Sequence, residues 1–428
     1  MADRYTDPPI VRMIPAKNLV NISLRGLTLG SRFLFVFFLA RFISPENLGL
    51  YGLFSATVGY ALYFVGLDFY TYATRAAIGS SRDEWGWMLK NQGALSIVMY
   101  LVFFPLSVAL FKFDLLPAEL FFWFFVILIL EHINQEFGRF FIAVSEQLLS
   151  SLVLFFRQGS WAVLIVVLML MEPRTRSLHF VLGAWAVGGI AAFAVGVYRL
   201  RGMRVGGWSR PLDWSWIKRG LIVCIPLLGA TLALRGIQTL DRYWLQALVD
   251  TRTVGLYVLY MSIASTLLAF LDAGVFAYTY PVLIRCFQNK QTQEFKKQLG
   301  KMLILTITSC VMFSLVSLML LPYLLRWIGN DFYLAHQSLY GWLLLAMVIN
   351  SIGMVFHYAL YAQGQDRPII ASHLASIVMF IAVTWVASQA MPLAAVPLGL
   401  VSAFSVILLW KSISYLNRAK SQFAAAIN

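Results

Sequence analysis

The sequence predicts an all-α membrane protein of about twelve transmembrane helices. They form two six-helix lobes related by a pseudo-twofold axis along the membrane normal. Three observations predict this. Long apolar stretches fill nearly all of the 428 residues, 60% of which are hydrophobic and 12% charged, and the mean hydropathy is +0.76. A soluble domain carries about 25% charged residues, so that class is excluded. Lys and Arg cluster in the connections on one side of the chain's crossings. Two short motifs recur in the second half of the chain in the same order.

A spanning helix needs about 20 mostly apolar residues. The first candidate, 18–42, follows a polar, proline-bearing stretch and is long enough to stay as an anchor rather than be cleaved as a signal. The short loop Ser44-Pro45-Glu46-Asn47 precedes the second, 48–70, and then come 92–111, 118–142, 149–171 and 178–198. The longest hydrophilic stretch, Arg199 to Arg219, follows and carries Gly202, Gly206, Gly207 and Pro211. It reads as a linker between an N-lobe, 1–205, and a C-lobe, 206–428. The C-lobe spans are expected at 220–244, 254–283, 302–325, 336–360, 369–388 and 393–412.

Twelve crossings put both termini on one face. That face collects the tail residues Arg4, Arg12 and Lys17, the second-to-third loop with Arg75, Arg82 and Lys90, the six Lys and Arg of the basic linker, the 285–301 connection with Arg285, Lys290, Lys296, Lys297 and Lys301, and Arg367, Lys411, Arg418 and Lys420. The opposite face has Lys112, Arg174, Arg176, Arg252 and Arg326. A bias of roughly four to one makes the terminal face cytoplasmic. The net charge of +14 is therefore a topology signal, and nucleic acid is not an expected partner.

The repeat links Gly49-Leu50-Tyr51 to Gly255-Leu256-Tyr257, and Tyr70-Thr71-Tyr72 to Tyr278-Thr279-Tyr280. The offsets are 206 and 208 residues. Six helices is an even number, so the lobes share one orientation and a substrate site is expected between them.

Arginines inside apolar segments are the functional signal. A charge in a bilayer is costly, so it faces a cavity or a partner. Arg25 and Arg32 share a face of the first span, Arg157 lies in the fifth, and Arg235 and Arg242 share a stripe of the seventh with Gln238. Arg32 falls within roughly 5 Å of its segment's centre. The first and seventh spans are repeat equivalents, so both stripes are candidates for one basic cavity; structural pairing with Asp68, Asp241 or Asp272 is the competing account. The fourth span ends in Glu131-His132-Ile133-Asn134-Gln135-Glu136, a candidate proton or cation relay or else a solvated helix end. Glu131, His132, Glu136, Asp68 and Asp272 are the ion-coupling candidates. His357 and His373 stand alone in the sequence and read as packed or hydrogen-bonded side chains. Cys224, Cys286 and Cys310 are scattered and read as free packing thiols. No Walker A loop, GxSxG or HExxH occurs, and no metal or cofactor is expected.

The run Leu39-Ala40-Arg41-Phe42-Ile43-Ser44-Pro45-Glu46-Asn47-Leu48-Gly49-Leu50-Tyr51 is typical of one family's first hairpin. So are Asp241-Arg242-Tyr243-Trp244 and Val254-Gly255-Leu256-Tyr257 for its seventh and eighth helices. The chain resembles the polysaccharide-exporter, O-antigen-type branch of the multidrug/oligosaccharidyl-lipid/polysaccharide flippase superfamily. The resemblance implies a non-enzymatic flippase in the bacterial cytoplasmic (inner) membrane, serving lipopolysaccharide or related polysaccharide synthesis. It would move undecaprenyl-diphosphate-linked oligosaccharide between leaflets by alternating access, with H+ or Na+ as coupling ion, membrane lipid around it and the pathway polymerase as a partner. Two alternatives stay open. A cation-coupled multidrug extruder shares this fold but calls for acidic cavity residues. A polytopic polymerase or ligase calls for a large outer loop, and the outer loops here are short.

Overall fold

A computed structural model of the chain describes residues 16–427, so the tail residues Arg4 and Arg12 lie outside the described residues, as does the side chain of Lys17. The side chain of Lys420 is likewise not described. Among the described residues every element is helical. The N-lobe opens with α1 (Ala16–Phe42), α2 (Pro45–Gly66) and the short α3 (Tyr70–Ile78). Next come α4 (Arg82–Ser107), continued by α5 (Ala109–Lys112), and α6 (Phe121–Ala143). The fifth span is composite: α7 (Gln147–Leu154), a π-helical segment Phe155–Ser160, and α8 (Trp161–Met171). The sixth is α9 (Leu178–Gly202).

The C-lobe opens with α10 (Trp214–Leu248). Its eighth span joins α11 (Thr251–Leu271), a π segment Asp272–Phe276, and α12 (Ala277–Gln288). Then follow α13 (Thr292–Ile328), the short α14 (Asp331–Ala335), α15 (Ser338–Ala362), α16 (Asp366–Ser388) and α17 (Pro392–Ile427). Eleven of these helical stretches are long and apolar enough to cross a membrane, and α10 makes a twelfth. It bends by 50° between Pro226 and Thr231. Pro226 inside the helix accounts for the kink, because proline lacks the N–H that would bond one turn back. All twelve expected segments fall on these spans.

The repeat is visible in the packing. Ser44 caps α2 through the Asn47 N–H, and Asp250, at an offset of 206, caps α11 through the Thr253 N–H. Gly49 and Gly255 meet between these helices. A Cβ on Gly49 would collide with the Thr251 carbonyl, and one on Gly255 with the Pro45 carbonyl. The two clashes are the same contact seen from each side, since 45 and 251 are also 206 apart, as at a twofold interface. The offset grows to 208 where the lobes differ locally. The N-lobe breaks at Leu67 and Asp68, with φ of 50° and 51°, whereas the C-lobe stays helical through the π segment.

The lobes are joined on the face opposite the termini. Glu46 pairs with Arg252 at 3.5 Å, Arg41 Nη1 donates to the Trp327 carbonyl at 2.5 Å, and Phe38 meets the Trp327 ring edge-on at 5.4 Å. Thr57 and Tyr243 share a hydrogen bond deeper in the same seam. Toward the terminal face α1 changes character: residues 35–43 are mostly buried and 19–29 mostly exposed. The lobes thus part along α1 on the terminal side, while the start of α10 stays on the N-lobe, with Trp216 packed against Phe69, Tyr72 and Trp87. The linker stays with the N-lobe there. Gly206 exchanges backbone hydrogen bonds with Arg82 and Gly86, and Lys90 Nζ donates to the carbonyls of Trp208 and Arg210.

Candidate functional site

Arg25 and Arg32 project from one stripe of α1 onto the fifth span. Arg25 Nε donates to Ser151 Oγ and Arg32 Nη1 to Gln158 Oε1, both at 2.9 Å. Both pairs are separated by 126 residues, because α1 and the fifth span run in the same direction. The Ser151 hydroxyl in turn bonds Asn21. Both arginines are exposed, and Arg25 lies two turns nearer the terminal face.

Arg157, in the π segment, turns into the N-lobe instead. Its Nε lies 3.2 Å from Glu131 Oε2, with side-chain exposures of 11% and 7%. Trp185 Nε1 donates to the other oxygen of Glu131 at 2.8 Å. A π turn rotates its side chains relative to a regular helix, and such segments collect at functional sites. His132 is buried and shares a 2.7 Å hydrogen bond between its Nδ1 and the Tyr100 hydroxyl. Glu136 accepts from Arg139 Nη1 at 2.5 Å and from Gln92. The Arg139 guanidinium lies 3.5 Å above the Tyr70 ring. The fourth span therefore does not end in a solvated turn at Glu131 and His132. It carries them as a buried polar network inside the lobe.

Asp68 sits buried at the break after α2, in the field of Arg139, Glu136 and Arg235. Arg235 is exposed on α10, donates to Gln238 Oε1 at 2.9 Å, and faces the Tyr63 ring of the other lobe at 5.7 Å. Arg242, two turns further along, donates to the Gln238 carbonyl at 3.2 Å. Its neighbour Asp241 is buried, accepting the Tyr257 hydroxyl at 2.5 Å and the Arg242 N–H at 2.7 Å. Tyr51 of α2 packs on Phe35 and Trp185, with Arg32, Glu131 and Arg242 nearby. Asp272 stands apart, exposed at the start of the C-lobe π segment beside Tyr358.

The interior arginines thus fall into two kinds. Arg157 and Arg139 are answered by carboxylates. Arg25, Arg32, Arg235 and Arg242 have no carboxylate within salt-bridge distance among the described residues and bond neutral groups, Arg242 half-buried and the other three exposed. A guanidinium held by an amide or hydroxyl keeps its charge and spare N–H donors for an anion. Among the described residues no group of three His, Cys, Asp or Glu side chains is placed to hold a metal ion. All three cysteines are buried and free, including Cys286, which the sequence assigns to a basic loop.

Sequence reasoning missed the neutral partners. A signal was present, since Ser151 and Gln158 repeat the seven-residue spacing of Arg25 and Arg32. It also counted Lys411 among the terminal-face loop charges, whereas the structure buries it to 1% exposure.

The family model described as polysaccharide biosynthesis protein matches residues 16–287. The chain belongs to that family. No curated protein sequence matches it. Solved structures give the fold. A multidrug resistance MATE family transporter of the MOP superfamily, in an inward-facing conformation, superposes with a TM-score of 0.71 at 13% identity, covering 94% of this chain and 99% of its own. A MATE protein in its bent conformation gives 0.57 at 14% identity, over 96% and 97%. The Vibrio cholerae MATE transporter in its bent form gives 0.55 at 14%, over 94% and 98%. This member of the polysaccharide biosynthesis family therefore carries a MATE-like transporter fold.

Proposed function

We propose that this protein is a lipid-linked oligosaccharide flippase. It moves undecaprenyl-diphosphate-linked glycan repeat units, of O-antigen or a related polysaccharide, from the cytoplasmic to the periplasmic leaflet. The bodies that alternate are the lobes 1–205 and 206–428, set in the bacterial inner membrane with both termini cytoplasmic. The observation that carries the reading is the set of three guanidinia, Arg25, Arg32 and Arg235, whose partners in the structure are neutral. A diphosphate carries about two negative charges and cannot enter hydrocarbon unaided. Guanidinia offer it paired, charge-assisted hydrogen bonds. Membership of the polysaccharide biosynthesis family supports the glycan end of the substrate. Parting of the lobes along α1 leaves a lateral route by which an isoprenoid tail stays in lipid while the head group crosses.

Coupling falls to the N-lobe network in this reading. Glu136 pairs with Arg139, and a proton or sodium ion taken up at Glu131, His132 or Glu136 would change the charge of this network. Arg157 then serves as the structural partner of Glu131, and Arg242 as a seam charge near Tyr51.

The fold is equally that of multidrug extruders, which makes cation export the rival. The test is reconstitution of the purified protein in liposomes with fluorescent undecaprenyl-diphosphate oligosaccharide and, separately, with an organic cation. The proposal expects protein-dependent movement of the glycolipid between leaflets and no cation efflux. Cation efflux without glycolipid movement would overturn it.

A further inference from the structure

The C-lobe holds a cluster that the flippase reading does not use. Lys411, on α17, is 1% exposed. Its Nζ lies 3.3 Å from Nδ1 of His357 on α15 and 3.1 Å from Nε2 of His373 on α16. Among the described residues no carboxylate lies within salt-bridge distance of it. The helices packed on α17 are α15, α16 and α10. On α15, His357 itself is flanked by Tyr358 edge-on and Tyr361 stacked in parallel. On α16 the facing group is His373, and on α10 the buried carboxylate, Asp241, is taken by Tyr257. One turn further along α17, Tyr415 packs on Phe356. His373 lies seven residues into α16, roughly 10 Å below the α15–α16 connection on the terminal face.

We propose that Lys411, His357 and His373 form a single-proton binding site that ties the terminal-face ends of the last three helices together. Three bases within hydrogen-bond reach cannot all be charged, because neighbouring cations repel strongly away from water. The cluster therefore exists in two forms. In one, an ammonium donates to two neutral imidazoles. In the other, all three groups are neutral. Desolvation opposes the charge and the two acceptors favour it, so one proton is exchangeable. Packing alone does not call for lysine here, since a methionine fills similar space without a buried charge. The geometry also fixes both tautomers in the charged form. His357 accepts at Nδ1 and carries its proton on Nε2, whereas His373 accepts at Nε2 and carries its proton on Nδ1. Loss of the proton leaves an amine whose two N–H groups make only neutral, weaker hydrogen bonds to the imidazoles, which loosens α15 and α16 from α17.

The experiment is nitrogen NMR of the full-length protein in lipid nanodiscs, labelled with 15N at lysine and histidine, from mildly acidic to mildly alkaline pH. The expected result has the two opposite tautomers at acidic pH and a single one-proton step in which both imidazoles and one lysine amine respond together. Lys411→Met should remove that step while the protein still folds. If Lys411→Met fails to accumulate, His373→Gln, which keeps an acceptor, should fold and shift the midpoint of the step. A lysine amine that stays charged, with both imidazoles unchanged over the whole range, would overturn the proposal and leave a fixed structural cation. So would two independent histidine titrations. This measurement needs no substrate, so it decides the proton site whether or not the flippase reading stands.

Discussion

Arg25, Arg32 and Arg235 differ from Arg157 and Arg139 in what answers their charge, and this separates function from architecture residue by residue. Arg157 faces Glu131 in a pair that is nearly closed to solvent. Breaking a buried pair strands one ion and costs about 3–5 kcal/mol, whereas removing both charges with volume retained is close to neutral. Arg157→Met should therefore reduce monodisperse protein and lower its thermal midpoint, and the double variant Glu131→Gln/Arg157→Met should recover most of the loss. A single variant as stable as wild type would remove the structural role. Glu136 is different, because Gln92 and Arg139 both bond it at the edge of a small pocket shared with Tyr70 and Thr74. Glu136→Gln keeps the shape and loses the charge. It should fold and lose the dependence of flipping on pH or sodium. Full transport by Glu131→Gln and Glu136→Gln over a range of both would mean that these carboxylates do not couple.

At the scale of elements, apolar length was legible in the sequence, and helix caps and side-by-side placement were not. The twelve segments, the linker and the repeat all follow from hydropathy, charge and the two repeated motifs. The pairing of α2 with α11 does not, because a glycine reads the same whether it faces lipid or another backbone. Gly49 and Gly255 are placed so that their amide nitrogens each lie 3.1 Å from where the other's Cβ would stand. Similarly, His357, His373 and Lys411 sit 16 and 38 residues apart along the chain, and only the packing of α15, α16 and α17 joins them. The π segments were hidden too, and only the one at Asp272–Phe276 falls where the repeat offset changes from 206 to 208. The glycine contact gives a prediction. Gly49→Val drives a side chain into the Thr251 carbonyl and should wedge the far-face seam open. A cysteine placed at Thr57, in a background lacking the three native cysteines, should then react faster with a membrane-impermeant thiol reagent added from that face. An unchanged rate would mean that the glycine contact does not hold the seam shut.

On the scale of the whole molecule, the proposal joins two asymmetries. One is charge across the membrane, with the linker and the 285–301 connection rich in Lys and Arg on the terminal face. Reporters fused after Asn428 and inserted within 199–219 should both read cytoplasmic, and one inserted at Ser44–Asn47 periplasmic. A periplasmic reading from either of the first two would overturn the orientation. The other asymmetry is closure, with tight contacts on the far face and parting along α1 toward the termini. Together they put the accessible guanidinia where a newly made anionic glycolipid arrives. The most direct test is the rate of glycolipid flipping in liposomes by Arg32→Ala and Arg235→Ala, each normalised to folded protein. A charge-assisted hydrogen bond contributes about 1.5–3 kcal/mol, so each variant should fold normally and flip about tenfold to hundredfold more slowly. Lysine at either position should rescue only in part, because it keeps the charge and loses the planar fork. If both alanine variants fold and flip like wild type, the basic seam does not carry the diphosphate.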